Sequence, residues 1–407
     1  MPVSFRLKRF TNVAILKRID FPLLLEFLES DRKFRPFLEG RGMAWEREKS
    51  RFDYSELARI LMSPDVGTPD ELLDALYFVD NLSNPDCYDR ILQECQEAGV
   101  DLGGKDLSPE DLAIRAWLAD RNILERIHAE QYRAKPQRFE SYFADRSDRP
   151  DLTYPTDIVL AALEADLNEW FHFKQKGRGA KVFVFPREDG VWFLVRHGQR
   201  IKREGTVEAD ESSGSVFYRP EKFDVLIYYP GNGELAINTE TKGERGAYCR
   251  RFGKHLFGHI KFFRFDDPIS KYTLVPLIAL GRDALACGDV QGLRQVLLQE
   301  LHLAHNSDQD DIEVRKASED VFRALANQKR TLQNEEASIR LVKAKFHVIF
   351  ADDKERTVSI EPPNIASFDR ASDNAIIHEW MSLRGFISTP SPEGKRHVKH
   401  RTVLAVH

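Results

Sequence analysis

Apolar positions recur at three- and four-residue spacing through the first third of the chain and at two-residue spacing through its middle. Leu72, Leu73, Ala75, Leu76 and Val79 fall on one face of a helix. Thr68-Pro69-Asp70-Glu71 stands just before them: Thr68 suits the cap, Pro69 the first turn, and Glu71 the return half of a capping box. Ser108-Pro109-Glu110-Asp111 repeats the device ahead of Leu112, Ile114, Ala116, Trp117 and Leu118. A third helix carries Tyr88, Ile91, Leu92 and Cys95 and stops near Gly99. Residues 1–150 therefore read as a helical domain. A polar stretch with Pro150 and Pro155 then reads as a linker. Residues 156–173 form an amphipathic helix with Ile158, Leu160, Ala161, Leu163, Leu167, Trp170 and Phe171 on its apolar side.

The period changes after Phe173. Residues 181–187 (KVFVFPR) and 191–197 (VWFLVRH) are rich in β-branched and aromatic residues around Asp189-Gly190, the signature of a hairpin. Gly177-Arg178-Gly179 reads as a turn. Residues 215–219 add a strand. Residues 223–229 and 234–239 make a second hairpin around Pro230-Gly231-Asn232-Gly233. A helix over 246–257 and a strand over 260–265 close this section. Helices are expected over 274–286, 293–303 and within 315–336. A last hairpin, 343–350 with 357–361, precedes a helix over 372–383 stopped by Gly385. The fold class that follows is mixed α+β. The division is a helical domain (1–150), a β-rich α/β core (156–265), a helical segment (266–337), a small hairpin–helix unit (338–390) and a loose basic tail (391–407).

Composition sharpens this. Of 407 residues, 42% are hydrophobic and 27 are Phe, enough to build a packed core and to exclude a disordered chain. Four Cys without C-x-x-C spacing exclude a disulfide scaffold and argue against structural zinc. No run approaches the ~18–20 apolar residues of a membrane span, and the first residues lack a continuous apolar signal core. A cytoplasmic protein with no membrane partner is expected. P-loop, G-x-G-x-x-G, H-E-x-x-H and G-x-S-x-G patterns are missing.

The overall charge of −5 hides an asymmetry. Residues 171–265 hold 18 Lys and Arg against 11 Asp and Glu, whereas residues 1–150 hold 23 against 28. Lys174, Lys176, Arg178 and Lys181 form one basic cluster, and Arg196, Arg200, Lys202 and Arg203 a second. Arg250 and Arg251 add positive charge to the helix that follows. Such local fields suit a polyanion, because neutralised phosphates release counterions. Nucleic acid, DNA in the first place, is the expected partner, with protein docking through the acidic helical domain as the alternative. His197 beside the second cluster reads as an exposed strand-end residue. His302 and His305 read as cations at a helix C-terminus. His255 and His259 are four apart, but Gly258 ends the helix between them.

One segment, residues 219–243, carries chemistry. Asp224 opens a strongly apolar strand, a turn and a second strand follow, and then Glu240-Thr241-Lys242. If that strand reaches Lys242, Glu240 and Lys242 leave it on one face, beside Asp224. Two converging carboxylates suit a hard divalent cation, and a lysine beside them suits charge developing at phosphorus. Here the residues resemble the PD-(D/E)XK nuclease superfamily over residues 156–265, although Phe223 stands where that group has Pro. The resemblance implies Asp224, Glu240 and Lys242 as catalytic residues and Mg²⁺ or Mn²⁺ bound by Asp224 and Glu240. It implies assistance from Glu164 or Glu169 of the preceding helix. It also implies hydrolysis of DNA, an activity suited by analogy to bacterial restriction or defence. Two other readings use the same residues: a non-catalytic nucleic-acid-binding or regulatory subunit, and a protein–protein adaptor in which Glu240, Lys242 and Glu244 are solvated charges.

Overall fold

A computed structural model describes residues 7–65, 67–104, 107–133, 137–144, 152, 154–187, 190–207, 211–305, 311–335 and 339–388. Most of the expected linker, Asp189 and the basic tail lie outside the described residues. The chain divides into two compact units, Met1–Tyr132 and Arg133–His407.

The first unit holds α1 (Val13–Leu16), α2 (Phe21–Leu28), α3 (Phe34–Gly40), α4 (Tyr54–Leu61), α5 (Asp70–Leu82), α6 (Pro85–Glu97), α7 (Pro109–Ala119) and α8 (Arg121–Arg133). Short helices of this kind gain their stability from tertiary packing. They bury Leu24, Phe27, Leu57, Leu76, Leu112 and Leu124 in one core. Ser108 caps α7 as expected, accepting from the Asp111 amide. The box expected at α5 is not made. Thr68 turns back to Asp65, and Glu71 pairs with Lys33.

The second unit is built on a ten-stranded antiparallel sheet. Its elements in chain order are β1 (Arg138–Phe143), α9 (Asp157–Phe173), β2 (Lys181–Arg187), β3 (Gly190–Gly198), β4 (Lys202–Val207), β5 (Ser213–Tyr218), β6 (Glu221–Tyr229), β7 (Glu234–Asn238) and α10 (Lys242–Phe257). There follow α11 (Val275–Ala279), β8 (Leu293–His305), β9 (Ile312–Lys316), α12 (Val321–Asn327), β10 (Ile339–Phe350), β11 (Glu355–Glu361), β12 (Ile365–Ser367) and α13 (Asn374–Leu383). The strand order is β2-β3-β6-β7-β1-β12-β11-β10-β8-β9, and β4 pairs with β5 in a separate ribbon. The fold is mixed α+β, as the sequence predicts.

Both expected hairpins of the basic core form. Arg187 opposite Gly190 closes the first over two residues. Helix α9 packs with α10 over β2, β3, β6 and β7, burying Leu163, Leu167, Phe171, Phe193, Leu226, Tyr228 and Phe252. A second core under α13 joins Trp380, Phe346 and Phe386 to β8, β10 and β11.

Four expectations are corrected. Residues 138–143, assigned to the helical domain, form a strand of the large sheet between β7 and β12. Residues 202–207, assigned no element beyond Lys202 and Arg203 of a basic cluster, form β4. Residues 260–265 make a turn, because adjacent Phe262 and Phe263 are both buried against Phe257 at the end of α10, with ring centroids 4.0 and 5.6 Å away. Residues 293–303, expected as a helix, belong to β8. A bulge there skips Gln299, so that Lys345 faces Glu300 and Phe346 faces Leu298. It brings Leu298 and Leu301 into one core at a spacing of three, which imitates a helix in the sequence. His302 and His305 are therefore strand residues, bonded to Glu300 and Glu313.

Candidate functional site

Strands β3 and β6 are antiparallel, with Val195 opposite Asp224 and His197 opposite Lys222. The face that buries Phe193 and Val195 on β3, and Leu226 and Tyr228 on β6, turns polar at this end. His197, Lys222 and Asp224 continue it by the two-residue period of a strand. Asp224 is fully buried and His197 is 2% exposed. The lid is the start of α10. Thr241 caps the helix and Glu244 returns to the Thr241 amide, a complete capping box. This pulls Glu244 inward until it is fully buried. Tyr248, one turn later, lies above Asp224.

Around Asp224 the contacts are dense. Its Oδ2 accepts from the Tyr248 hydroxyl at 2.7 Å and the Thr239 hydroxyl at 2.8 Å, with His197 Nε2 at 3.0 Å. Lys222 Nζ is 3.0 Å from Oδ1, although neither atom has the angles of a hydrogen bond. Glu244 Oε2 receives the Thr241 amide at 2.9 Å and the Thr239 hydroxyl at 2.8 Å, and Oε1 receives Lys176. His197 stacks on Phe171 with centroids 4.1 Å apart, and its Nδ1 lies 2.9 Å from the Gly198 carbonyl. Nδ1 therefore faces a carbonyl, and Nε2 is the ring atom turned to the carboxylates.

Burial alone would raise the Glu244 pKa. The Lys176 hydrogen bond, the Lys222 charge, the Thr241 amide and the Thr239 hydroxyl outweigh it and hold the group at about 2. Burial works against the charged form of Lys222, but Asp224, Glu244 and Glu240 hold its pKa above the ordinary value. Burial raises the Tyr248 pKa well above its usual value, with Asp224 adding to the effect, so the phenol stays a donor.

Asp224 of the sequence-derived triad lies at the centre of this cluster, but Glu240 and Lys242 do not share a strand face. Strand β7 ends at Asn238, and Lys242 is the first residue of α10. The polar pair Asn238-Thr239 ends the apolar run, and the capping box then starts the helix. The Glu240 side chain is 70% exposed and reaches Lys222 at 3.6 Å; Lys242 is exposed. Of the two helix carboxylates, Glu164 accepts the Val182 amide at the start of β2 and Glu169 pairs with Arg178. Neither joins Asp224. His197, expected at the surface, and Glu244, read as solvated, are instead buried.

Lys222 escaped the sequence reading, although its place two residues before Asp224 on one strand was the available signal. The Thr241-x-x-Glu244 pattern would likewise have placed the helix start. Five expected nucleic-acid contacts are held by carboxylates: Lys176 by Glu244, Arg178 by Glu169, Lys181 by Glu164, Arg196 by Glu221 and Arg251 by Asp166. Lys174, Arg200, Lys202, Arg203 and Arg250 have no ion-pair partner among the described residues and are exposed.

His197, Asp224 and Glu244 each offer a ligand atom within 4.8 Å of the others, the one such group among the described residues. Two details bear on a cation there. The Thr239 hydroxyl has a single proton for two carboxylate contacts, and Asp224 Oδ1 makes no hydrogen bond but already faces a cation, the Lys222 ammonium at 3.0 Å. One imidazole and two carboxylates is a donor set that takes Mn²⁺ and, through its oxygens, Mg²⁺. Comparison with protein families and with curated proteins found no match for this chain.

Proposed function

We propose that the protein is a nucleic-acid-processing enzyme, a divalent-metal-dependent phosphodiester hydrolase acting at the Asp224 cluster. The observation that carries this reading is the meeting of Asp224, Glu244 and His197 around the single Thr239 proton, in the basic part of the chain. Asp224, Glu244 and His197 would hold Mg²⁺ or Mn²⁺. When bound, the ion would activate water and neutralise charge at phosphorus. Phe171 and the Gly198 carbonyl fix the His197 ring, and Tyr248 and Thr239 fix the Asp224 carboxylate. Lys222 lies between Asp224 and Glu240 with its ammonium nitrogen buried, and in this reading it balances charge at the cluster from within. It is the lysine beside the carboxylates, the place that the sequence suggested for Lys242. Glu240, in solvent beside it, can accept a proton. Arg200, Lys202 and Arg203 supply charge for a DNA backbone, and exposed Phe217 offers a ring for a base.

The test is cleavage of single- and double-stranded DNA and RNA with Mg²⁺, Mn²⁺ or a chelator. Asp224→Asn and Lys222→Met are expected to reduce metal-dependent cleavage by ~100-fold or more. Lys242→Ala should stay close to wild type. Cleavage that persists with chelator, or in Asp224→Asn, overturns the assignment. One observation favours a second reading, a nucleic-acid-binding subunit without catalysis: Lys222 and Lys176 already balance the charges of Asp224 and Glu244. Salt-sensitive binding without cleavage under any metal would select it.

A further inference from the structure

Away from the Asp224 cluster, the second unit contains a cavity of about 310 Å³ beside the start of α13. Its wall includes Tyr229, Asn232, Glu234, Lys271, Arg370 and His378, together with Asn374 and Ala375 of the helix. Two cations and one carboxylate dominate its chemistry. Lys271 Nζ lies 2.6 and 2.7 Å from the two oxygens of Glu234, which also accepts from Ser141 at 2.6 Å and Asn232 at 3.0 Å. Glu234 and Lys271 thus satisfy each other.

Arg370 is different. It is 3% exposed and packed between the rings of Phe139 and Phe368, 4.8 and 4.5 Å from their centroids. Those rings favour a cation but accept no ordinary hydrogen bond. Its Nε and Nη2 make no hydrogen bond, and no carboxylate lies within ion-pair distance among the described residues. The Tyr272 and Tyr229 side chains lie beside it, and Glu234 acts on it through its charge. Glu234 is hydrogen-bonded to Lys271, so the Arg370 guanidinium is buried without an anion bonded to it, which is costly.

Helix α13 brings a second source of positive potential to the same cavity. It is ten residues long, and its cap residue Asp373 makes no side-chain cap. The Asp373 carboxylate instead takes the Ser372 hydroxyl at 2.7 Å and lies 3.4 Å from Arg356. The first turn contains no acidic residue. A helix N-terminus next to an unpaired arginine suits an oxyanion.

We infer that this cavity is a binding site for one oxyanion group, phosphate or carboxylate, carried by a ligand of small-metabolite size. Arg370 supplies the charge and a forked donor, Lys271 and Asn232 flank it, and the N-terminus of α13 faces the same space. Glu234 neutralises Lys271, so one unit of positive charge remains for the ligand. This inference does not depend on the nature of the Asp224 site.

The test is calorimetry and thermal unfolding of the full chain with inorganic phosphate, adenosine monophosphate and malonate, which separate phosphate from carboxylate. Saturable binding in the millimolar range or tighter is expected for phosphate or malonate, with a rise in Tm as binding to the folded state requires. Arg370→Met keeps the packed stem and removes the charge. Ala375→Glu puts a carboxylate at the exposed rim and leaves the core intact, so it decides the question if Arg370→Met fails to fold. Each should weaken binding about tenfold or more, while Asp224→Asn leaves it unchanged. Absence of saturable binding by any probe, or binding that survives both substitutions, overturns the site.

Discussion

Two glutamates show what a buried charge demands of its neighbours. Burial would raise the pKa of Glu234, but Lys271, Arg370 and Ser141 bring it down to about 2, as Lys176 and its companions do for Glu244. The ordinary value is 4.5. A carboxyl depressed in the fold adds stability that is complete above its unfolded value and is lost as pH falls through the folded one. Urea unfolding should therefore show stability declining between about pH 4.5 and 2, the window in which both groups take up protons. Glu234→Gln should flatten that decline. At pH 7 it should cost ~3–5 kcal/mol, because Lys271 would be left buried without its partner. At this scale the sequence was least legible. Asp224 could be singled out as the polar start of an apolar strand. Glu244 and His197 look like ordinary surface residues until a capping box and a ring stack turn them inward.

Among the elements, α10 and β8 illustrate legible and illegible signals. The body of α10 and its Gly258 stop could be read directly, and Gly258 does adopt a left-handed conformation with φ 75°. Its first turn was missed because Glu240-x-Lys242 was read as strand. Thr241→Ala removes the cap and one partner of Glu244, and should lower stability by about 1–2 kcal/mol in chemical denaturation. In β8 the bulge at Gln299 defeats the two-residue period between Leu298 and Leu301. Deleting Gln299 should remove the bulge and bring Leu298 and Leu301 to the two-residue spacing, both still on the core face. With both leucines still buried, the loss should stay within about 1 kcal/mol, read as a Tm close to the parent's. The outermost strand β9 is short, and Glu313, Arg315 and Lys316 place charge along it, the usual protection of an open edge.

At the scale of the whole molecule, each unit has its own apolar core. Residues 1–132 expressed alone are expected to give a helical circular dichroism spectrum and cooperative unfolding; a fragment lacking either would show that the first core is insufficient. The mixed α+β class and the helical first part were legible because helix periodicity and caps are local. The ten-strand order was not, since pairing between distant strands leaves no trace in either segment. The domain-level outline suffered for the same reason, with the strand at 138–143 hidden at the end of a helical stretch. Among the described residues no helix is long and apolar enough to cross a membrane.

The position of β1 between β7 and β12 has a consequence for biosynthesis. The strand is translated early, yet one of its edges finds a partner only when residues 234–237 emerge, and the other must wait for residues 365–367. At ~5–20 residues per second, the interval between residue 143 and residue 365 lasts roughly 10–45 s. Throughout it the nascent polypeptide presents an unsatisfied backbone row next to Phe139 and Tyr142. Chaperones have that interval in which to act, and termination between residues 238 and 365 leaves β1 without its second partner.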